Sequence, residues 1–127
     1  MRYGFSKTSN LPYDKAIEKV TDELKKEGFG VLTSIDVKDT LKKKIDVDFK
    51  KYAILGACNP GLAHQALLSE EEIGLLLPCN VIVYEKEGKT AVSIFNPMTM
   101  TKLVNNDKLK PIAEEVNTRL ARVLEAV

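Results

Sequence analysis

The chain has 127 residues, 44% of them hydrophobic and 29% charged, and its 19 basic and 18 acidic side chains leave a formal net charge of +1. That length suits one domain that buries roughly 65–70% of its unfolded surface without staples, and the composition argues against global disorder. The charge balance gives no general attraction to nucleic acid or to an anionic membrane, and the two cysteines are too few for a secreted disulfide scaffold.

Met1 to Lys7 carry no apolar stretch of signal-peptide length. No apolar run approaches the roughly 20 residues of a membrane span, the densest being Gly74-Leu75-Leu76-Leu77, which stops at Pro78. A cytoplasmic location with reduced thiols is the expectation.

Tyr3-Gly4-Phe5 fits a short first strand. Residues Asn10 to Glu27 read as a helix, with Pro12 near its start, Asp14 in the first turn, Lys25-Lys26 in the last, and Ile17, Val20 and Leu24 on one face. Gly28 follows as its C-terminal cap. Phe29 to Val37 read as a strand in which Phe29, Val31, Thr33 and Ile35 alternate with Gly30, Leu32 and Ser34, so both faces are partly apolar. Lys38 to Asp48 is the most charged stretch, and the four-residue spacing of Leu41 and Ile45 allows a turn or two of helix there.

Tyr52-Ala53-Ile54-Leu55-Gly56-Ala57-Cys58 is a continuous small and apolar run, which predicts a strand buried on both faces. Asn59-Pro60 then starts a helix, Asn being a favoured N-cap and Pro a favoured first residue. Val81-Ile82-Val83-Tyr84 and Thr90 to Phe95 form a hairpin about Gly88. Asn96-Pro97 ends it. Leu109 to Val127 is the strongest helix, with Leu109, Ile112, Val116, Leu120, Val123 and Val127 three or four apart and Pro111 in its first turn. The order is β-α-β-(short α)-β-α-β-β-α over residues 1–127. It predicts a single α+β domain with a mainly antiparallel or mixed sheet and helices packed on it.

Polar chemistry concentrates at two steps, Cys58-Asn59 and Cys79-Asn80. Cys58 precedes a helix N-terminus, whose free N–H groups and dipole favour a thiolate or a bound anion, with Gly61 in that first turn. Against this, Cys is among the most buried residue types and could simply fill space. Cys79 follows Pro78, opens a strand and shares a face with Val81 and Val83, which favours burial. Asn59 and Asn80 could each satisfy backbone groups at strand ends without any catalysis. A simple strand-helix-strand crossover would hold Cys58 and Cys79 about a strand length apart, roughly 17 Å, unless Glu70 to Leu77 carries the chain back.

His64, the only histidine, lies off the main apolar face of its helix. With the two thiols it makes three ligands in kind for zinc, but at no dense motif spacing, so an exposed His and no bound metal are expected. Glu70-Glu71-Glu72 and Lys42-Lys43-Lys44 read as solvated runs. Met98-Thr99-Met100 reads as core, or as the edge of a pocket or dimer surface.

The stretches YAILGACNPGLA (52–63) and GLLLPCNV (74–81) resemble the paired motifs of the domain-of-unknown-function family 302. Gly28 to Val37 and Asn96-Pro97-Met98 also resemble it, so the resemblance spans nearly the whole chain. It implies a small single-domain bacterial or archaeal α+β protein that forms homodimers, with Cys58, Asn59, Pro60, Pro78 and Cys79 on its motifs, and it implies no activity. Two classes of function remain. One is a domain binding a small polar or anionic ligand, or a protein partner, beside Cys58, Asn59, Pro60, Gly61, His64, Pro78, Cys79 and Asn80. The other is thiol redox or soft-metal chemistry at Cys58 and Cys79. Neither calls for a cofactor, nucleic acid or membrane, and the pattern does not decide whether the chain is an enzyme. A homodimer is expected because the hairpin would leave a sheet edge in need of cover.

Overall fold

The computed structural model describes residues 2–127. Five strands, β1 (Gly4–Ser9), β2 (Gly30–Asp36), β3 (Tyr52–Cys58), β4 (Cys79–Lys86) and β5 (Lys89–Phe95), form one sheet in the order β1-β5-β4-β3-β2. Every pairing is antiparallel. The helices are α1 (Tyr13–Lys26), α2 (Val37–Ile45), α3 (Pro60–Ser69), α4 (Met98–Leu103) and α5 (Leu109–Ala126), with a 3-10 turn at Glu71–Leu76 after α3. The α+β class and the element order follow the sequence pattern. The six-residue α4 is an addition that no apolar periodicity announces.

Helices α1 and α5 lie side by side on one face of the sheet. Ala16, Val20 and Leu24 of α1 and Val116, Leu120 and Val123 of α5 close over Leu55, Ala57, Val81, Val83, Val92 and Ile94. A second, smaller core joins Ala66, Ile73, Met100 and Leu109 at the end of the sheet where β3 finishes and β4 begins. Among the described residues no helix is long and apolar enough to cross a membrane.

Local signals place the ends of these elements. Gly28 has φ +84°, a left-handed backbone at low cost only for glycine. It closes α1 with a paired motif in which Phe29 N donates to Leu24 O at 2.9 Å and Gly28 N to Lys25 O at 3.1 Å. This throws Phe29 into the core and starts β2. At the hairpin, Glu87 and Gly88 both have positive φ, 52° and 78°, as a two-residue turn matched to strand twist requires.

Three expectations need correction. First, β1 continues through Lys7, Thr8 and Ser9. These polar residues stay in strand because they pair with β5, and Lys7 Nζ reaches the last carbonyls of α5, donating to Glu125 O at 2.9 Å. Second, β2 does not alternate without a break, so Val31 does not share a face with Thr33 and Ile35. Val31 pairs with Ala57 and Thr33 with Gly56, so Leu32 is the extra residue of a bulge. One inserted residue reverses the alternation, and Thr33 and Ile35 face away from the helices. Third, the β4–β5 hairpin is interior to the sheet and exposes no edge. The edges are β1 and β2.

Candidate functional site

Because β3 and β4 are antiparallel neighbours, the end of one lies beside the start of the other. Ala57 pairs with Cys79, so Cys58 is one residue beyond the partner of Cys79. The strand-length separation expected of a simple crossover does not occur. The 3-10 turn Glu71–Leu76 carries the chain back along α3, and Asn106 anchors the start of that return by donating from Nδ2 to Ser69 O at 2.7 Å and Glu70 Oε1 at 3.1 Å. Both cysteines are free thiols, Cys58 half-buried and Cys79 buried.

Cys58 and Cys79 both line a narrow crevice of about 30 Å³. Its walls are otherwise almost wholly apolar: Leu62, Ala63 and Ala66 of α3, Leu77 before β4, Met100 of α4, and Ile112 and Val116 of α5, with Phe29 at one side. A volume of that size admits about one water or one methyl group until a side chain moves. Met100 can give way at small cost because its chain is unbranched.

Asn59 caps α3 as its sequence predicts. Its Oδ1 accepts from Leu62 N at 3.1 Å, and Pro60 fills the first helical position. A cap of this kind contributes about 1 kcal/mol. Its Nδ2 is not used in the cap. A Cβ built on Gly28 would meet Asn59 Nδ2 at 2.9 Å and Arg119 Nη1 at 3.3 Å, so the two donors converge where α1 turns into β2. Arg119 is held there by donating from Nη1 to Glu27 O at 3.1 Å and from Nε to Glu115 Oε1 at 3.1 Å. The crevice therefore has apolar walls that include both cysteine residues, and nitrogen donors of Asn59 and Arg119 stand beside it at Gly28.

Burial, and secondarily the neighbouring Cys58, push the Cys79 thiol up to about 11. At neutral pH Cys79 is a protonated thiol, which is neither a good nucleophile nor a good soft-metal ligand. Thiol chemistry at this site would have to start at Cys58.

The other predicted residues are distributed around this centre. Pro60, Gly61 and His64 are exposed on the outer side of α3 and do not line the crevice. Pro78 is half-buried and packs over Gly56. Asn80 points to the opposite face of the sheet, next to Tyr3, Tyr52 and Ile82, so the Cys79-Asn80 step is divided between the two faces. Among the described residues no three His, Cys, Asp or Glu side chains come together as a metal site. Sequence reasoning missed Phe29, Ile112, Val116 and Arg119. Each looks like ordinary core or surface in its own segment; the packing of α5 against α3 brings Ile112, Val116 and Arg119 to the site, and the Gly28 turn brings Phe29. Met100 belongs to the pair noted as a pocket edge.

A family model described as "Domain of unknown function DUF302" matches residues 5–127. The chain belongs to this family. A DUF302 protein of known structure, described as an uncharacterized conserved protein from Bacillus stearothermophilus, is 31% identical to it. The two superpose with a TM-score of 0.93, covering 99% of this chain and 98% of the other. No curated protein matches. The sequence resemblance thus holds for the DUF302 family and for its α+β fold.

Proposed function

We propose that this DUF302 protein is a homodimeric ligand-binding domain whose site is the crevice at the adjoining ends of β3 and β4. The observation that carries the reading is the convergence of Cys58 and Cys79, 21 positions apart in two motifs, on one apolar crevice beside a capped helix N-terminus. A ligand suited to it has a small apolar end, which enters beside Cys58, Cys79 and Met100, and a polar or anionic head, which meets Asn59 Nδ2 and Arg119. Short carboxylic acids such as butyrate have this chemistry and serve as probes.

The thiol alternative has one observation in its favour, the adjacency of a half-buried and a buried free cysteine. Ligand binding has more, because the apolar walls and the donor rim have no part in thiol exchange.

The test is thermal denaturation with increasing butyrate, on the native chain and on Ala63→Leu, which fills the crevice. Binding to the folded state alone raises stability by about 2.7 kcal/mol at a hundredfold excess over Kd. The native protein is expected to show a saturable rise in Tm that Ala63→Leu loses. A rise that survives in Ala63→Leu, or no rise with any short acid, would count against the crevice.

A further inference from the structure

We propose that the face of the sheet turned away from α1 and α5 is where a second copy of the chain packs, sheet against sheet. This rests on the homodimer reading and specifies its surface. Helices α1 and α5 cover only the other face, the two hydrophobic cores are built on that side and at the sheet end, and on this face the α2–β3 connection lays only Phe49 beside Tyr52 and Lys50 over the Tyr84 ring.

An antiparallel sheet with one face in water alternates apolar-in and polar-out. Here both directions are apolar. The outward residues of β3 and β4 are Tyr52, Ile54, Ile82 and Tyr84, and β2 adds Ile35, which is 46% exposed. Tyr52 and Tyr84 stack across the strands with ring centroids 5.1 Å apart. Tyr3, 80% exposed, stands at the β1 side of the same surface. The hydroxyls of Ser6 and Ser93 bond each other at 2.6 Å, which lowers the demand of that corner for water.

Three features point to a second copy as the occupant. The first is area. Five strands at about 4.8 Å spacing and roughly 20 Å length present about 500 Å² in projection, more with side-chain relief. That is of the order of the roughly 800 Å² per partner in a standard interface. The second is charge. From Gly4 to Thr8, Thr33 to Ile35, Tyr52 to Gly56, Asn80 to Tyr84 and Ala91 to Phe95, the outward positions carry no charged side chain. Cations stand only at its margins, Lys50 over the Tyr84 ring and Arg2 beside Tyr3, so the centre of the face is neutral and matches its own copy about a two-fold axis. The third is geometry. An uncovered antiparallel sheet face stacks on another at about 10 Å, as in β-sandwiches. The crevice lies at the strand ends on the helix side, so this packing leaves it open.

The experiment is sedimentation equilibrium of the full chain over a range of micromolar concentrations, for the native protein, Ile82→Glu, Ser93→Arg and Leu75→Glu. Leu75 is 83% exposed and lies off this face, which makes it the control. The native protein and Leu75→Glu are expected to sediment as dimers. Each face variant should weaken self-association by about a hundredfold or more, because it buries an unpaired charge. Circular dichroism checks folding, and two face variants are included so that one misfolded variant does not decide the result. Dimers that persist in both face variants overturn this surface and leave the homodimer standing. A native chain that is monomeric throughout overturns both.

Discussion

Gly56→Ala is expected to destabilise the fold by about 3 kcal/mol, at the upper end of what overpacking costs. For a domain of this size that lowers Tm by roughly 10 °C. Gly56 is fully enclosed on β3, between Thr33 of β2 and Asn80 of β4. An added Cβ would run into the Thr33 hydroxyl and would stand 2.8 Å from Pro78 Cγ. Both obstacles are fixed: Thr33 by the bulge that turns it to this face, Pro78 by the chain entering β4. The double variant Thr33→Ala/Gly56→Ala removes one of them, because Thr33 Cβ alone lies at an ordinary 3.5 Å. It should recover about half of the loss, and chemical denaturation of the four members of the cycle measures the recovery. A Gly56→Ala variant as stable as the native chain would mean that β2 is not bulged as described.

The second large effect is on alkaline stability. Burial, with a smaller contribution from Cys58, raises the Cys79 thiol from its ordinary 9.0 to about 11. A group whose folded pKa lies above its unfolded value contributes stability that is fully present below the unfolded pKa. That stability is lost as pH rises toward the folded value, here between about 9 and 11. Two units correspond to about 2 to 3 kcal/mol. Burial also raises Tyr13 and Tyr52, so the native curve alone does not isolate the thiol. The expected result is that Cys79→Ala starts less stable at neutral pH, having lost packing, and then declines less steeply than the native protein. Parallel curves would contradict a buried neutral thiol at this position. The same burial makes Cys58 the first cysteine to be alkylated.

Signals that act within a few residues were legible in the sequence. Asn59-Pro60 marks the start of α3, Gly28 the end of α1, Gly88 the hairpin, and the spacing from Leu109 to Val123 the long α5. The alternation that put Cys79 with Val81 and Val83 on a buried face also holds. What was not legible depends on pairing between distant segments. Leu32 is as apolar as a regular strand residue, so nothing in it announces a bulge or warns that Thr33 and Ile35 will face outward. The meeting of Cys58 and Cys79 depends on strand order and on the return path of Glu71–Leu76, and local propensity fixes neither. The crevice draws its walls from five separate elements. Asn80 shows the converse: two identical Cys-Asn steps looked alike in the sequence, yet alternation in β4 sends Cys79 to the crevice and Asn80 to the open face.

The central claim is that the two cysteine motifs form one binding site. Its most direct test is to titrate the isotope-labelled protein with butyrate and follow the backbone amide resonances. Saturable shifts should concentrate at Phe29, Cys58 to Ala63, Cys79 and Met100, and should vanish in Ala63→Leu. Shifts confined to Tyr52, Ile82 and Tyr84 on the open face, or none at the crevice, would contradict it.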